Sequence, residues 1–330
     1  MVDVSTRYMG ITIQSPIIAG SSGLTGRLES LLELERNGVG AVVLKSIFEE
    51  EILNEHQVHL GSLDSFQSEL EYLDYYDYKL REEKVGNYLQ LIEKAKKKLN
   101  IPIIASVNCI SAHEWKAFAK SIASAGADAL EINAMLLPAD LKKSPDDMEA
   151  LYDQIIHKVV SSVNIPVAFK ISPYFMSLAN SALRFSKSGI SSLVMFNRTY
   201  NPDIDIYEQS ITHSNILSNP IDLLNTLRWT AILANRINCD ISASGGVSDA
   251  ASVIKLLLAG AQTVQVASTL YKNNVQYVNE LHNEIGRWMS RFEYTNIEQF
   301  RGKLSYNQTE NAAQFERVQF MKYFGEYNHE

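Results

Sequence analysis

Two lysines and three asparagines end apolar runs in this chain: GAVVLK closes at Lys45, VAFK at Lys170, IASVN at Asn108, LEIN at Asn133 and LVMFN at Asn197. A lysine at the end of a buried strand loses hydration, which is expensive unless its charge is paired or solvated. No acidic residue adjoins either lysine in sequence. Such lysines suit a ligand that develops negative charge. The N1/O2 edge of a flavin does so on reduction, and a fixed cation there stabilises the reduced form. A desolvated, nucleophilic Schiff-base lysine is the alternative.

Phosphate binding is expected near the end of the series. SGGVSD (244–249) places Ser244, Gly245 and Gly246 just before a helix start, where backbone N–H groups can approach an anion with no Cβ in the way. VASTLY (266–271) adds Ala267 and Ser268 from a neighbouring run. Ser22 and Gly23 in SPIIAGSSG and Ser46 after Lys45 complete the polar run ends. LEINAMLLPAD (130–140) differs from the others because its apolar run carries Glu131 as well as Asn133.

These residues need a scaffold that brings run ends together. NGVGAVVLK (37–45), AGADALEIN (125–133), SGISSLVMFN (188–197) and AGAQTVQVA (259–267) share one grammar, a glycine that closes a helix followed by a β-branched strand. NIPIIASVN (100–108), NIPVAFKIS (164–172), NCDISASGG (238–246) and SPIIAGSSG (15–23) bring the expected strands to eight. Helical spacing of apolar residues recurs between them, at 85–99, 114–126, 147–163 and 248–260. Alternation of this kind means a parallel sheet, and eight repeats favour a (β/α)8 TIM barrel over an open sheet. The fold class is therefore α/β, with insertions at about 46–84 and 198–220 at the C-terminal face of the strands, where barrels carry their sites. No Gly/Ser/Pro-rich linker interrupts the series, so residues 1–330 are expected to form a single domain, with a C-terminal extension from about 307.

Composition narrows the function classes. With 330 residues, 46% hydrophobic and 21% charged, the chain can bury a large core. Its formal net charge of -8 offers no basic surface for phosphate backbones, so no nucleic-acid partner is expected. The two cysteines, Cys109 and Cys239, have no CxxC spacing, so neither a disulfide framework nor a metal site is expected. No apolar run approaches the roughly 18 residues of a membrane helix, and the first residues lack a leader pattern. A cytoplasmic protein acting on a small-molecule substrate, with no membrane partner, is the expectation.

The run ends resemble those of the dihydroorotate dehydrogenases, FMN-dependent (β/α)8 enzymes of pyrimidine biosynthesis, and are most similar to their soluble, dimeric, fumarate-using class. SPIIAGSSGL, GVGAVVLKS, LEIN, FKISPYF, SGGV with QVAST, and EQFRGKL carry the likeness, in the family's order and over nearly the whole chain. The resemblance implies FMN as cofactor and a homodimer. It implies that Ser22, Gly23 and Asn108 line the flavin, that Lys45 lies near the flavin and the substrate carboxylate, and that Lys170 meets the N1/O2 edge. Asn133 and Asn197 would hydrogen-bond the substrate, and Gly245, Gly246 and Ser268 would hold the ribityl phosphate.

One departure bears on catalysis. The family's loop after LEIN has the form SCPN, whose cysteine or serine removes the C5 proton while hydride passes from C6 to FMN. Here the stretch is AMLLPAD, Leu136 stands at the place of the base, and leucine accepts no proton. The following asparagine aligns with Pro138, and the NSMGLPN-like loop is absent from 59–78. Cys109, Asp140 and His113 are the nearby candidates for a relocated base; their plainer readings are a small buried hydrophobe, a turn cap and a solvated helix-start residue. Three functions stay open: a dihydroorotate dehydrogenase with a moved base, a same-fold flavoenzyme on another small unsaturated or cyclic substrate, and a flavin-binding protein without dihydroorotate turnover. The tyrosine-rich stretch 69–84 is expected to be a helix over the barrel mouth, and 198–220 a hairpin excursion that helps cover the flavin.

Overall fold

The structure is a computed structural model that describes residues 2–48, 69–108, 119–134, 139–198, 201–310 and 312–316, with side chains between 69 and 82 left aside. The chain opens with an antiparallel hairpin, β1 (Thr6–Tyr8) and β2 (Ile11–Ile13). The strands β3 (Ile17–Ala19), β4 (Ala41–Val43), β5 (Ile47–Phe48), β6 (Ile103–Asn108), β7 (Ala129–Asn133), β8 (Val167–Ile171) and β9 (Ser192–Met195) follow. A second hairpin, β10 (Pro202–Asp205) and β11 (Ser210–His213), precedes β12 (Asp240–Ser244) and β13 (Thr263–Val266).

Eight of these close into a parallel barrel in the order β3, β4, β6, β7, β8, β9, β12, β13 and back to β3. They coincide with the eight runs singled out above. Val, Ile, Leu and Ala dominate because each strand is covered on both faces, by helices outside and by side chains within. The four glycines of the shared grammar, Gly38, Gly126, Gly189 and Gly260, all have φ between 88° and 115°, which lets each helix stop and the next strand begin at once. Ser144 caps the helix Pro145–Val160 through a reciprocal bond with Asp147, and Asp249 caps Ala250–Ala259 through the Ser252 N–H.

The N-terminal hairpin was not legible as an element. It plugs the bottom of the barrel: Tyr8, Met9 and Ile13 pack with the inward side chains Ile18, Ala41, Val43, Ile104, Ala129, Ala168 and Val194. The charged and amide inward residues, Glu131, Asn133, Lys170 and Gln265, stand above this plug, toward the C-terminal strand ends, while the lower layer carries small hydroxyls such as Ser242, which accepts from Thr263 at 2.8 Å. The helical stretches expected at 69–84 and 85–99 form one unbroken helix, Glu69–Lys98. No helix among the described residues is long and apolar enough to cross a membrane.

Candidate functional site

A cavity of about 660 Å³ opens at the C-terminal mouth. Lys170 and Asn197 line it from β8 and the end of β9, together with Ser22. Ser244, Gly245 and Gly246 contribute from the end of β12, and Ala267 and Ser268 from the end of β13. Parallel strands deliver these residues to one place because all their C-termini point the same way.

Lys170 is 7% exposed, and its charge does have a partner. Its Nζ lies 3.4 Å from Glu131 Oε1 and donates at 3.0 Å to Gln265 Oε1. Gln265 Nε2 in turn donates at 2.6 Å to Glu131 Oε2. Glu131 is 1% exposed and Gln265 2%, so the rear of the cluster is buried while Lys170 and Gln265 edge the cavity. Only one orientation of the Gln265 amide serves both neighbours, oxygen to the ammonium and nitrogen to the carboxylate. The carboxylate absent beside Lys170 in sequence comes from the next strand, where β7 pairs with β8 in the register Asn133↔Lys170. Gln265, on β13, reaches them from the far side of the barrel. Below the cluster, burial drives the Tyr8 phenol far above its usual range, and the Glu131 charge adds to the shift.

Asn197 Nδ2 donates to Asn133 Oδ1, so the two asparagines form a pair with Asn197 at the cavity wall and the buried Asn133 behind it. Ser46 also stands one layer back, buried, bonded to the cavity residue Ser21 at 3.1 Å and to Ser106 at 2.6 Å. Gly23 opens a short 3-10 turn, and a Cβ built on it would meet the hydroxyl of cavity-lining Tyr271 at 2.7 Å. Asn108 ends β6 half-buried, in register with Phe48. Lys45 is not the buried strand-end lysine that the apolar run suggested. The strand ends at Val43, Leu44 is the last buried residue of the run, and Lys45 is exposed with its N–H bonded to the Thr25 carbonyl. The desolvation cost inferred for Lys45 therefore does not arise. Cys109, His113, Leu136 and Pro138 lie outside the described residues. Asp140 is exposed and accepts from the Lys142 N–H at 3.0 Å, which makes it a turn-forming group.

Several contributors were not visible beforehand. Arg198 straps the segment 215–217 over the cavity: Nε donates to the Ile216 carbonyl at 2.6 Å, and Nη2 to those of Asn215 and Leu217 at 2.6 and 3.0 Å. Its Nη1 reaches Asp222 Oδ2 at 2.8 Å. Ser218 then docks on the end of β13, its N–H donating to Ser268 Oγ at 2.9 Å while Lys272 Nζ holds its carbonyl at 2.7 Å. No sequence signal marks this strap, because its acceptors are mostly backbone carbonyls. Glu131 and Gln265 did leave a trace: each is a lone polar residue in an apolar strand, and Glu131 is two residues from Asn133, hence on the same inward face.

An eight-stranded parallel barrel with a polar, glycine-bearing mouth of this kind defines a ligand-binding α/β barrel. The chain belongs to the dihydroorotate dehydrogenase family of oxidoreductases, whose sequence model matches residues 3–289. Among curated relatives, it is 26% identical over 318 residues to the catalytic subunit of dihydroorotate dehydrogenase B (NAD(+)) of Thermoplasma volcanium, covering 92% of this chain and 98% of that one. It is 28% identical over 271 residues to the same subunit of Methanocella arvoryzae, covering 80% and 86%. It is 22% identical over 327 residues to the chloroplastic dihydropyrimidine dehydrogenase (NADP(+)) of Arabidopsis thaliana, covering 91% and 76%. The family expectation holds, whereas the fumarate-using class expected within it finds no support in these names.

Proposed function

We propose that the cavity binds FMN and that the chain is an FMN-dependent oxidoreductase acting on a CH–CH bond of a small dihydropyrimidine-like ring. The observation that carries this reading is Lys170, an ammonium anchored from behind by Glu131 and Gln265 and facing a cavity that Asn197 also lines. A fixed cation at a cavity wall favours whatever electron-rich edge is placed against it. The remaining wall suits the rest of the cofactor. Gly245 has φ 109°, and a Cβ there would meet only Thr226 Oγ1, at 3.5 Å, so backbone and ligand can approach closely at the mouth after β12 and β13. The cavity volume falls in the range of ordinary small-molecule sites.

When bound, FMN supplies the hydride acceptor. Lys170 holds positive charge toward the ring, the Asn133–Asn197 pair offers amide groups to a ring carbonyl or N–H, and the strap from Arg198 to Ser218 keeps the loop over the cavity. Lys170 is poorly suited to Schiff-base chemistry, since a nucleophilic amine is kept away from acids and this one adjoins a carboxylate. Two of the relatives described above are named for dihydroorotate and one for dihydropyrimidine, which supports a pyrimidine-type substrate without choosing between them. Their naming as catalytic subunits supports assembly with a different chain over the homodimer expected at first.

Leu136 favours a second reading, a flavoprotein that turns dihydroorotate over slowly or not at all. Anaerobic mixing of the FMN-loaded protein with dihydroorotate separates the two. Slow or absent bleaching of the flavin is expected, with faster bleaching by another dihydropyrimidine. Rapid bleaching by dihydroorotate at neutral pH would show that a different residue removes the proton.

A further inference from the structure

We infer that Glu131 is a positioning residue for the redox ligand: acting through Lys170 and Gln265, it fixes where the ammonium points and offsets part of its positive charge. This inference rests on the flavin reading above. Glu131 does not itself line the cavity, yet one of its oxygens is ion-paired with Lys170 and the other accepts from Gln265. Lys170 and Gln265 both line the cavity, so the carboxylate forms the rear vertex of a triangle whose front edge faces the ligand.

A lysine has four rotatable bonds and points nowhere in particular unless held. Two contacts from opposite sides of the barrel, one from β7 and one from β13, restrict Nζ to a single location. The same geometry sets the local charge. A lone ammonium this deeply buried would act on the ligand unopposed, whereas a carboxylate directly behind it opposes that field. Glu131 therefore makes the ligand's electron-rich, reduced form less favoured than Lys170 alone would. Gln265 is neutral and relays position without adding charge. The site is thus tuned toward a ligand that must release its electrons again, as a turning-over redox cofactor must.

The test uses two substitutions of nearly unchanged shape and opposite charge effect. Glu131→Gln removes the negative charge, and Gln265→Glu adds one beside the same ammonium. In the FMN-loaded protein, Glu131→Gln is expected to shift the midpoint potential positive by about 30 mV, the two-electron equivalent of a tenfold change in relative affinity for the two redox forms. Gln265→Glu is expected to shift it negative. Shifts of the same sign in both variants, or none in either, would overturn the inference, because loosened packing alone has no reason to reverse sign with charge. A second readout needs no cofactor. In the apo protein carrying ε-13C lysine, the Lys170 methylene, assigned by its loss in Lys170→Gln, is expected to show two distinct, ordered proton signals that merge in Glu131→Gln. Signals unchanged by that substitution would also overturn the inference. A protein that takes up no FMN but shows the merging would instead defeat the flavin reading, with Glu131 still shown to position Lys170.

Discussion

Lys170 was legible as a functional lysine because an amine ending an apolar strand is costly, and its partner was not, because partnership depends on the register between two strands. The Asn133↔Lys170 register brings Glu131 within 3.4 Å of the ammonium. Buried pairs of this kind add little net stability, but halving one is damaging, since the remaining charge is stranded. Lys170→Met is therefore expected to cost about 3–5 kcal/mol in denaturant unfolding. The double variant Lys170→Met, Glu131→Met is expected to cost less than that single one, because no charge is then left alone. Equal or greater loss in the double variant would mean that the two groups are not coupled. Lys45 teaches the opposite lesson. It closes an apolar run just as Lys170 does, yet it stands two residues beyond its strand and is exposed, whereas Lys170 lies within its own.

At the level of elements, the eight barrel strands could be read because burial on both faces forces continuous Val/Ile/Leu/Ala runs, and the helix stops because only glycine adopts φ near 90° without strain. The N-terminal hairpin, at three residues per strand, was too short to show periodicity. The Arg198 strap was hidden for the reason that backbone acceptors carry no sequence. The glycines after β12 were read as a phosphate cradle, and Gly246 has a second task. It has φ 73°, and a Cβ on it would lie 2.0 Å from the Leu223 nitrogen, where the helix Leu223–Leu233 starts. Gly246→Ala must push that helix start away from the strand end, an overpacking cost of about 1–3 kcal/mol. A fall in the thermal midpoint together with weaker FMN retention is the expected outcome; wild-type values for both would show that the two segments are not tightly apposed.

Across the whole molecule, residues 282 and 296 return to the loops of the N-terminal part of the chain. Asp3 pairs with Asn296 through a short bridge, and His282, on the helix Tyr277–Arg291, binds the Gly38 carbonyl at 2.9 Å and Ser15 Oγ at 3.2 Å. Burial holds the His282 pKa below its ordinary value of 6.5, against the opposing pull of the Gly38 carbonyl. An unfolded chain then binds a proton that the native one resists, so this contribution to stability is present above about 6.5 and is lost as pH falls through the lower native value. The thermal midpoint of the wild type is expected to drop on acidification below that point more steeply than that of His282→Gln. Parallel profiles would remove His282 from the acid response. The family could be read from the order of strand-end motifs, whereas the class within it could not, because those motifs all belong to the barrel mouth and none of them concerns the electron acceptor or assembly.

The most direct measurement is the visible absorbance of the purified protein, followed by a titration of the apo form with FMN. A yellow protein that binds one FMN per chain at micromolar concentration is expected, with retention sharply weakened in Lys170→Ala. A colourless protein that declines FMN under those conditions, or uptake indifferent to the loss of Lys170, would contradict the account.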